Sequence, residues 1–422
     1  MPSGNMQDCF ADYLLDKAQR IGPALLAKAA DCRADYLAVA AAGARKNRPK
    51  WQDLLDRCPA GSVPLLGYGR CTDGKTAALV NGFNAHSLEL DDGQRFAMIH
   101  LGACVVSAVE SVRAECGLGE EAALKGIVMG YEAACRLAIA IQPGHKLKGF
   151  HASGTCGTVG AAVGGAFALG MDAKQLRRVI AVAAGSAAGM LEIQEQQSEL
   201  KPYNLGRAAM DGVAATLMGF TGFVPPDDML DGERGFFKTF SDGFDAQKLT
   251  GPADWFEIER IYVKPYASCR HSHSAVEAAI RLHPDIEPGQ IESVLVETYR
   301  LGVRGHDHSD IRGVASAKLS TPYAVACALL HGRADLSLFE PLDNAALELA
   351  GKIRVAENEE FSRLCPAKRV ASVTVRLKDG TTLRKQVDYA KGEPENPMSP
   401  DEIRRKREML EAYLPPQENG ER

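Results

Sequence analysis

Two textures follow one another along this chain. Up to about residue 255, apolar positions recur at mixed three- and four-residue spacing, as in "LLAKAADCRADYLAVAAAGARKN" (25–47). That spacing, many alanines and no internal proline predict a helix packed on one face. "DGKTAALVNGFNAHSLELDD" (73–92) predicts a second helix running into an acidic end. The stretch 100–141 reads as two helices broken at "GLGE", the second closed by "QPGH". In "GTVGAAVGGAFALGM" (157–171), Gly157, Gly160, Gly164 and Gly165 would let helices approach closely, and Asp172 is an N-cap for the helix that follows.

After Trp255 the period changes. "FEIERIYVKPY" and "IESVLVETY" have the alternation and β-branched content of strands, and "VASVTVRLKDGTTLRKQVDY" predicts a hairpin turning at Asp379-Gly380. Helical stretches at 272–283 and 315–331 lie between them. The expected architecture is mainly α: a large all-α domain over 1–255 and a smaller α+β lid domain over 256–398. A capped C-terminal helix, 399–414, is expected to pack back on the first domain.

Composition narrows the class. The chain has 422 residues, 45% hydrophobic and 24% charged, which fits a globular protein. A net charge of −5 argues against a general nucleic-acid binder, so any anion site must be local. The N-terminus carries acidic residues where a signal peptide needs a basic start, and no apolar run reaches spanning length. A cytoplasmic protein without a membrane segment is expected. Eleven cysteines without a C-x-x-C pair remove the common zinc-ribbon and redox-motif readings. The small-residue run after His151 is not G-x-G-x-x-G and lacks a following Lys-Ser or Lys-Thr, so no nucleotide cofactor is expected.

Candidate chemistry then rests on ionisable groups set against apolar or glycine-rich surroundings, where burial and neighbours shift pKa values. In "HSLELDDGQRFAMIHLGA", Glu89, Asp91 and Asp92 precede His100, and a carboxylate beside an imidazole suits a general base; the alternative is a solvated acidic turn. His151 precedes a helix N-terminus, where anions are attracted, or else is a core histidine bonded to a carbonyl. Lys201 and Arg207 could grip carboxylates or be exposed loop cations. "YVKPYASCRHSHSAVEAAI" gathers Lys264, Arg270, His271 and His273, a polyanion site or a plain surface cluster. In an extended chain Cys269, His271 and His273 would share one face and could ligate a metal, but no supporting motif accompanies them, so no metal is expected. Tyr323, with Lys318 and Ser320, begins an apolar helix and could donate to a substrate oxygen or simply pack. "RGHDHSD" (304–310) reads as a solvated turn rather than a metal loop.

Six stretches taken in order, "NGFNAHSLELDDGQRFAMIH", "GYEAACRL", "KGFHASGTCGTVGAAVGGAFALGM", "LKPYNLGRAAMDG", "VKPYASCRHSHSAVEAA" and "KLSTPYAVACALLHG", resemble the MmgE/PrpD family. That family includes 2-methylcitrate dehydratase, cis-aconitate decarboxylase and iminodisuccinate epimerase. The resemblance implies an all-helical larger domain, a smaller α+β lid, a homodimer, and an active site between domains with no metal or organic cofactor. It carries a catalytic set onto His100, His151, Lys201, Lys264 and Tyr323, with Glu89, Asp91, Asp92, Arg207, Arg270, His271 and His273 as substrate-binding candidates. The family's D-x-D-D-T pattern reads here as "ELDDG", with Glu89 first and Gly93 in place of threonine, which leaves the identity of the acid open. The expected function is a cofactor-independent lyase of a small di- or tricarboxylic acid. The alternatives are an epimerase of an iminodisuccinate-like substrate and a non-catalytic polycarboxylate binder.

Overall fold

The computed structural model describes residues 5–195 and 198–413 and is mainly helical. It divides into two compact units. The first comprises 1–87, 91–195 and 200–261; the second comprises 88–90, 196–199 and 262–422.

The first unit is helical apart from a short antiparallel pair, β1 (Val63–Leu65) with β2 (Arg70–Thr72). Its long helix Pro23–Leu55 starts with proline in the first turn, where the missing N–H costs nothing. The helix Gly74–His86 stops at His86 rather than running on to Asp92. Glu89, in the short 88–90 stretch that groups with the second unit, has a φ of 54. The region from 100 on opens with a π-helical turn, Gly102–Val106, passes into Ser107–Cys116, and breaks at Gly117 with φ 66, where the sequence reads "GLGE". The helix Glu120–Ile141 follows.

The glycine-rich run forms the helix Ala152–Ala168, buried at nearly every position. Its small residues form a packing seam. A Cβ on Gly160 would lie 2.5 Å from Ala134 Cβ and 2.7 Å from Gly130 O, so this helix and Glu120–Ile141 touch backbone to backbone. The next helix, Ala173–Ser186, carries the expected cap: Asp172 accepts from Gln175 N, and the Gln175 side chain closes a capping box.

The expected strand at "FEIERIYVKPY" does not form. Residues Glu257–Arg260 make a 3₁₀ turn, and Phe256, Ile258 and Ile261 enter the core of the first unit. The alternation that resembled a strand reflects burial of these residues beside a buried carboxylate. Glu257 accepts from Gln94 Nε2 at 2.8 Å, and its own N–H donates to Glu132 at 2.7 Å.

The second unit holds a four-stranded sheet of order β4-β3-β5-β6, with β3 (Ile291–Thr298), β4 (Ile353–Glu357), β5 (Ala371–Leu377) and β6 (Thr382–Val387). The expected hairpin is β5–β6, in register from Ala371↔Val387 to Arg376↔Thr382, with Gly380 at φ 89 in its turn. β4 pairs parallel to β3 and has no alternation strong enough to announce it. The helices His273–Leu282 and Thr321–His331 fall where the pattern places them.

The C-terminal helix Pro400–Ala412 has a Ser399/Glu402 capping box and groups with the second unit, where Lys406 Nζ donates to Leu90 O at 2.8 Å. Residue 414, the last of the expected helix, lies outside the described residues. Among the described residues, no helix is long and apolar enough to cross a membrane.

Candidate active site

In the first unit, histidines from three segments stand close enough to interact. His86 ends the helix Gly74–His86, His100 precedes the π-turn, and His151 occupies the N-cap position of Ala152–Ala168. Asp91 joins the first two: its Oδ2 lies 2.7 Å from His86 Nδ1 and 3.3 Å from His100 Nδ1, and the two rings are 4.6 Å apart at their centroids. His100 Nδ1 is also 3.0 Å from the carbonyl of Asp92. With Asp91 Oδ2 and the Asp92 carbonyl facing it, Nδ1 of His100 carries a proton.

Asp92 has a different role. Its carboxylate accepts from Tyr131 at 2.6 Å and from Gly102 N at 2.8 Å, which locks the acidic loop onto the π-turn. Burial pushes its carboxyl up to about 6 in spite of these donors.

His151 is held by its neighbours on both sides. Its N–H donates to Gly189 O at 3.0 Å, and Asn204 Nδ2 lies 3.2 Å from His151 Nδ1. Asn204 sits in the first turn of the helix Tyr203–Met218, three residues after Lys201. Close approach requires glycine here: a Cβ on Gly154 would meet Ala188 O at 2.6 Å and Gly189 Cα at 3.1 Å. His100 is tied to the same helix start, since its backbone N–H donates to Ser153 Oγ at 3.0 Å.

Burial, then the cation of Lys201, then His86 and His100 drive the His151 pKa well below the usual imidazole range. Each of these causes favours the neutral imidazole. Lys201 is itself buried.

Arg207, on the same helix as Asn204, is engaged structurally. It pairs with Asp211 and donates to Gly154 O at 3.0 Å and Ala188 O at 2.7 Å, so it braces the segment that cradles His151.

The remaining candidates belong to the second unit. Lys264 is fully buried, with its Nζ 2.6 Å from Glu89 Oε2. Arg270 holds Glu393 at 2.8 Å and donates to His273 Nδ1 at 2.8 Å, while His273 Nε2 faces Ser268 O at 3.0 Å. Both His273 nitrogens are thus engaged, and 269–273 is a 3₁₀ turn leading into a helix rather than an extended chain. The alternation expected of Cys269, His271 and His273 in an extended chain therefore does not apply to this turn. His271 Nδ1 lies 2.7 Å from Tyr299 Oη, and its ring stacks on His306. In the 304–310 loop, His306 Nδ1 faces Leu319 O at 2.9 Å and His308 Nε2 faces Ser316 O at 3.1 Å, contacts that suit a turn.

Tyr323 is fully buried: its hydroxyl donates to Leu338 O at 2.6 Å and accepts from Asp343 N at 2.7 Å. Lys318 is committed to Glu340 at 2.5 Å.

His86 is the residue the sequence reading passed over. Its spacing of five from Asp91, across the end of the helix, was the available signal.

The chain belongs to the MmgE/PrpD family: residues 9–249 match the MmgE/PrpD N-terminal domain and residues 266–422 match the C-terminal domain. Among curated relatives, it is 26% identical over 382 residues to the cis-aconitate decarboxylase-like protein oryM of Aspergillus oryzae, covering 82% of this chain and 78% of that one. It is 23% identical over 344 residues to human cis-aconitate decarboxylase, covering 78% and 71% of the two chains. With the mouse cis-aconitate decarboxylase it shares 24% over 355 residues, covering 78% and 70%.

Proposed function

We propose that this protein is a lyase that acts on a small di- or tricarboxylic acid without a cofactor, removing water or carbon dioxide. The observation that carries this reading is the buried His151, held by Gly189 and Asn204, in the same unit as Lys201 and as His100 on its Asp91 support. The names of the relatives point the same way.

Reactions of this class pass through a carbanion or enolate next to a carboxylate. A base removes a proton from carbon, or a C–C bond breaks with loss of carbon dioxide. The electron pair stays on the substrate until it expels hydroxide, which leaves as water with a proton from the acid, or until carbon takes that proton itself. The Lys201 ammonium meets the charge that builds up, in surroundings where water screens little. His100 and His151 are the proton-transfer pair. Lys264 and Tyr323 are further members of the catalytic set, and Glu89, Asp91, Asp92, Arg207, Arg270, His271 and His273 contribute to substrate binding or to shaping the groups that bind. A homodimer is part of the same proposal.

An epimerase is the second reading, favoured by the two imidazoles from separate segments, which suit removal and return of a proton on opposite faces of an acidic carbon.

The test is a thermal-shift screen of small polycarboxylates, with NMR of each hit in heavy water. A lyase gives an unsaturated product or releases carbon dioxide, whereas an epimerase exchanges deuterium into substrate without change of skeleton. His151→Ala is expected to lower turnover at least ~100-fold while binding survives. Stabilisation by such acids with no turnover of any of them would leave the non-catalytic binder.

A further inference from the structure

We infer that His86 is a positioning residue: through the Asp91 carboxylate it fixes the tautomer, orientation and proton affinity of His100. This rests on the reading above that His100 exchanges protons with substrate, and it adds a residue to that machinery.

One oxygen, Asp91 Oδ2, serves both rings, His86 at 2.7 Å and His100 at 3.3 Å. The shorter contact is to His86, so the carboxylate is held chiefly by the ring remote from His151 in sequence and is shared, at longer range, with His100. The anchor is rigid. His86 is 1% exposed and Asp91 4%. The helix that His86 ends is pinned two residues earlier, where Asn84 accepts from Asn47 at 2.9 Å and Trp51 at 3.2 Å and donates to Tyr68 at 3.2 Å. Further back, a Cβ on Gly82 would lie 2.6 Å from Ala103 O, so the helix also abuts the π-turn that follows His100.

The physical consequence concerns charge. A carboxylate that belongs to one imidazole stabilises the imidazolium fully. One that already accepts a short hydrogen bond from a second ring offers less to the first. His86 therefore restrains the basicity of His100 while keeping Asp91 aimed at its Nδ1.

Other groups bear on this pair. His151 and Lys201 belong to the same electrostatic neighbourhood, Asp92 supplies its carbonyl to His100, and Glu89 lies in the same acidic loop. Any titration must be read with these present.

The test is histidine NMR on the full chain with ¹⁵N-labelled imidazoles. In the unmodified protein, His86 and His100 should both show the Nδ1–H tautomer, and the His86 Nδ1 signal should move as His100 titrates. His86→Leu should raise the pH at which His100 titrates by roughly one unit, with the acid limb of the activity profile moving by the same amount. His86→Asn, whose amide can still donate to Asp91, should restore both toward the original values.

An Nε2–H tautomer at His86, or a His86 signal indifferent to His100, overturns the inference even if His86→Leu does not fold. So does a folded His86→Leu whose His100 titrates unchanged. The two readings fail separately: a shifted His100 titration with no turnover of any acid sinks the lyase proposal alone, while turnover that depends on His100 but ignores His86 sinks this one alone.

Discussion

At the scale of single residues, burial is the dominant force on the ionisable groups of the first unit. His145 shows it most simply. It is fully buried, its Nε2 lies 2.8 Å from Thr155 Oγ1, and burial lowers its pKa to about 4. In the unfolded chain the same ring titrates near 6.5, so between pH 6.5 and 4 the unfolded state binds a proton that the folded state refuses. Stability therefore falls as pH drops through that window, by on the order of 3 kcal/mol from this ring. His151 and His273 are shifted in the same direction. Asp92, raised to about 6, opposes them: it binds a proton in the folded state at pH values where the unfolded carboxyl has lost it, so its contribution falls as pH rises through 4 to 6. The carboxyls of Asp211 and Glu257 are raised as well, but between pH 7.5 and 5.5 the unfolded imidazoles take up most of the protons, so the three histidines leave a net loss on acidification. Urea unfolding at pH 7.5 and 5.5 should show a lower midpoint at 5.5, and His145→Gln should reduce the difference between them.

At the scale of elements, the site is built by close approach. The helix Ala152–Ala168 can bring His151 against Gly189 and Asn204 because position 154 has no side chain. Gly154→Ala would favour the helix by propensity alone. The added methyl, however, must displace the carbonyl of Ala188, which also accepts from Arg207. The expected result is a loss of ~1–3 kcal/mol in stability. Turnover should fall further than the stability loss accounts for, because the shift is delivered to His151. Circular dichroism melting together with kinetics on the folded fraction separates the two effects. A variant that melts early but turns over normally when folded would show that the contact serves packing only.

The sequence made this element legible and left its partners unread. Small residues in "GTCGTVGAAVGGAFA" announce that something packs tightly. Which segment packs there is a matter of distant residues, 130 and 134 on one side and 188 and 204 on the other. The strand expected at 256–266 failed for a related reason. Alternating burial arises equally from a strand on a sheet and from a 3₁₀ turn over a core, and only the surroundings of Glu257 distinguish them. Likewise β4, a parallel partner of β3, gains its hydrogen bonds from a segment more than 50 residues away in sequence.

For the protein as an assembly, the proposed homodimer has an expected consequence at its surface. The chain exposes a run of large apolar residues just past the helix Tyr203–Met218, with Phe220 60%, Phe223 72% and Val224 90% exposed. Apolar surface gathered in one segment marks an interaction site more often than scattered exposure does. Sedimentation should give about twice the protomer mass of 45.3 kDa, and Phe223→Asp should shift the protein toward the monomer. A single monomeric species at all protein concentrations would remove the dimer from the proposal.

Local pattern was enough to mark the main helices of the first unit, the β5–β6 hairpin, the capped helix starts at Asp172 and Ser399, and the ordered run of segments that marks the family. These are local properties, written in periodicity, turn residues and caps, or in short stretches compared one at a time. Long-range packing is what shares Asp91 between His86 and His100, engages Asp92 with Tyr131, and ties Tyr323 and Arg207 to backbone carbonyls. Those assignments depend on which hydrogen-bond partner arrives first at a buried polar atom, and that partner comes from another part of the chain.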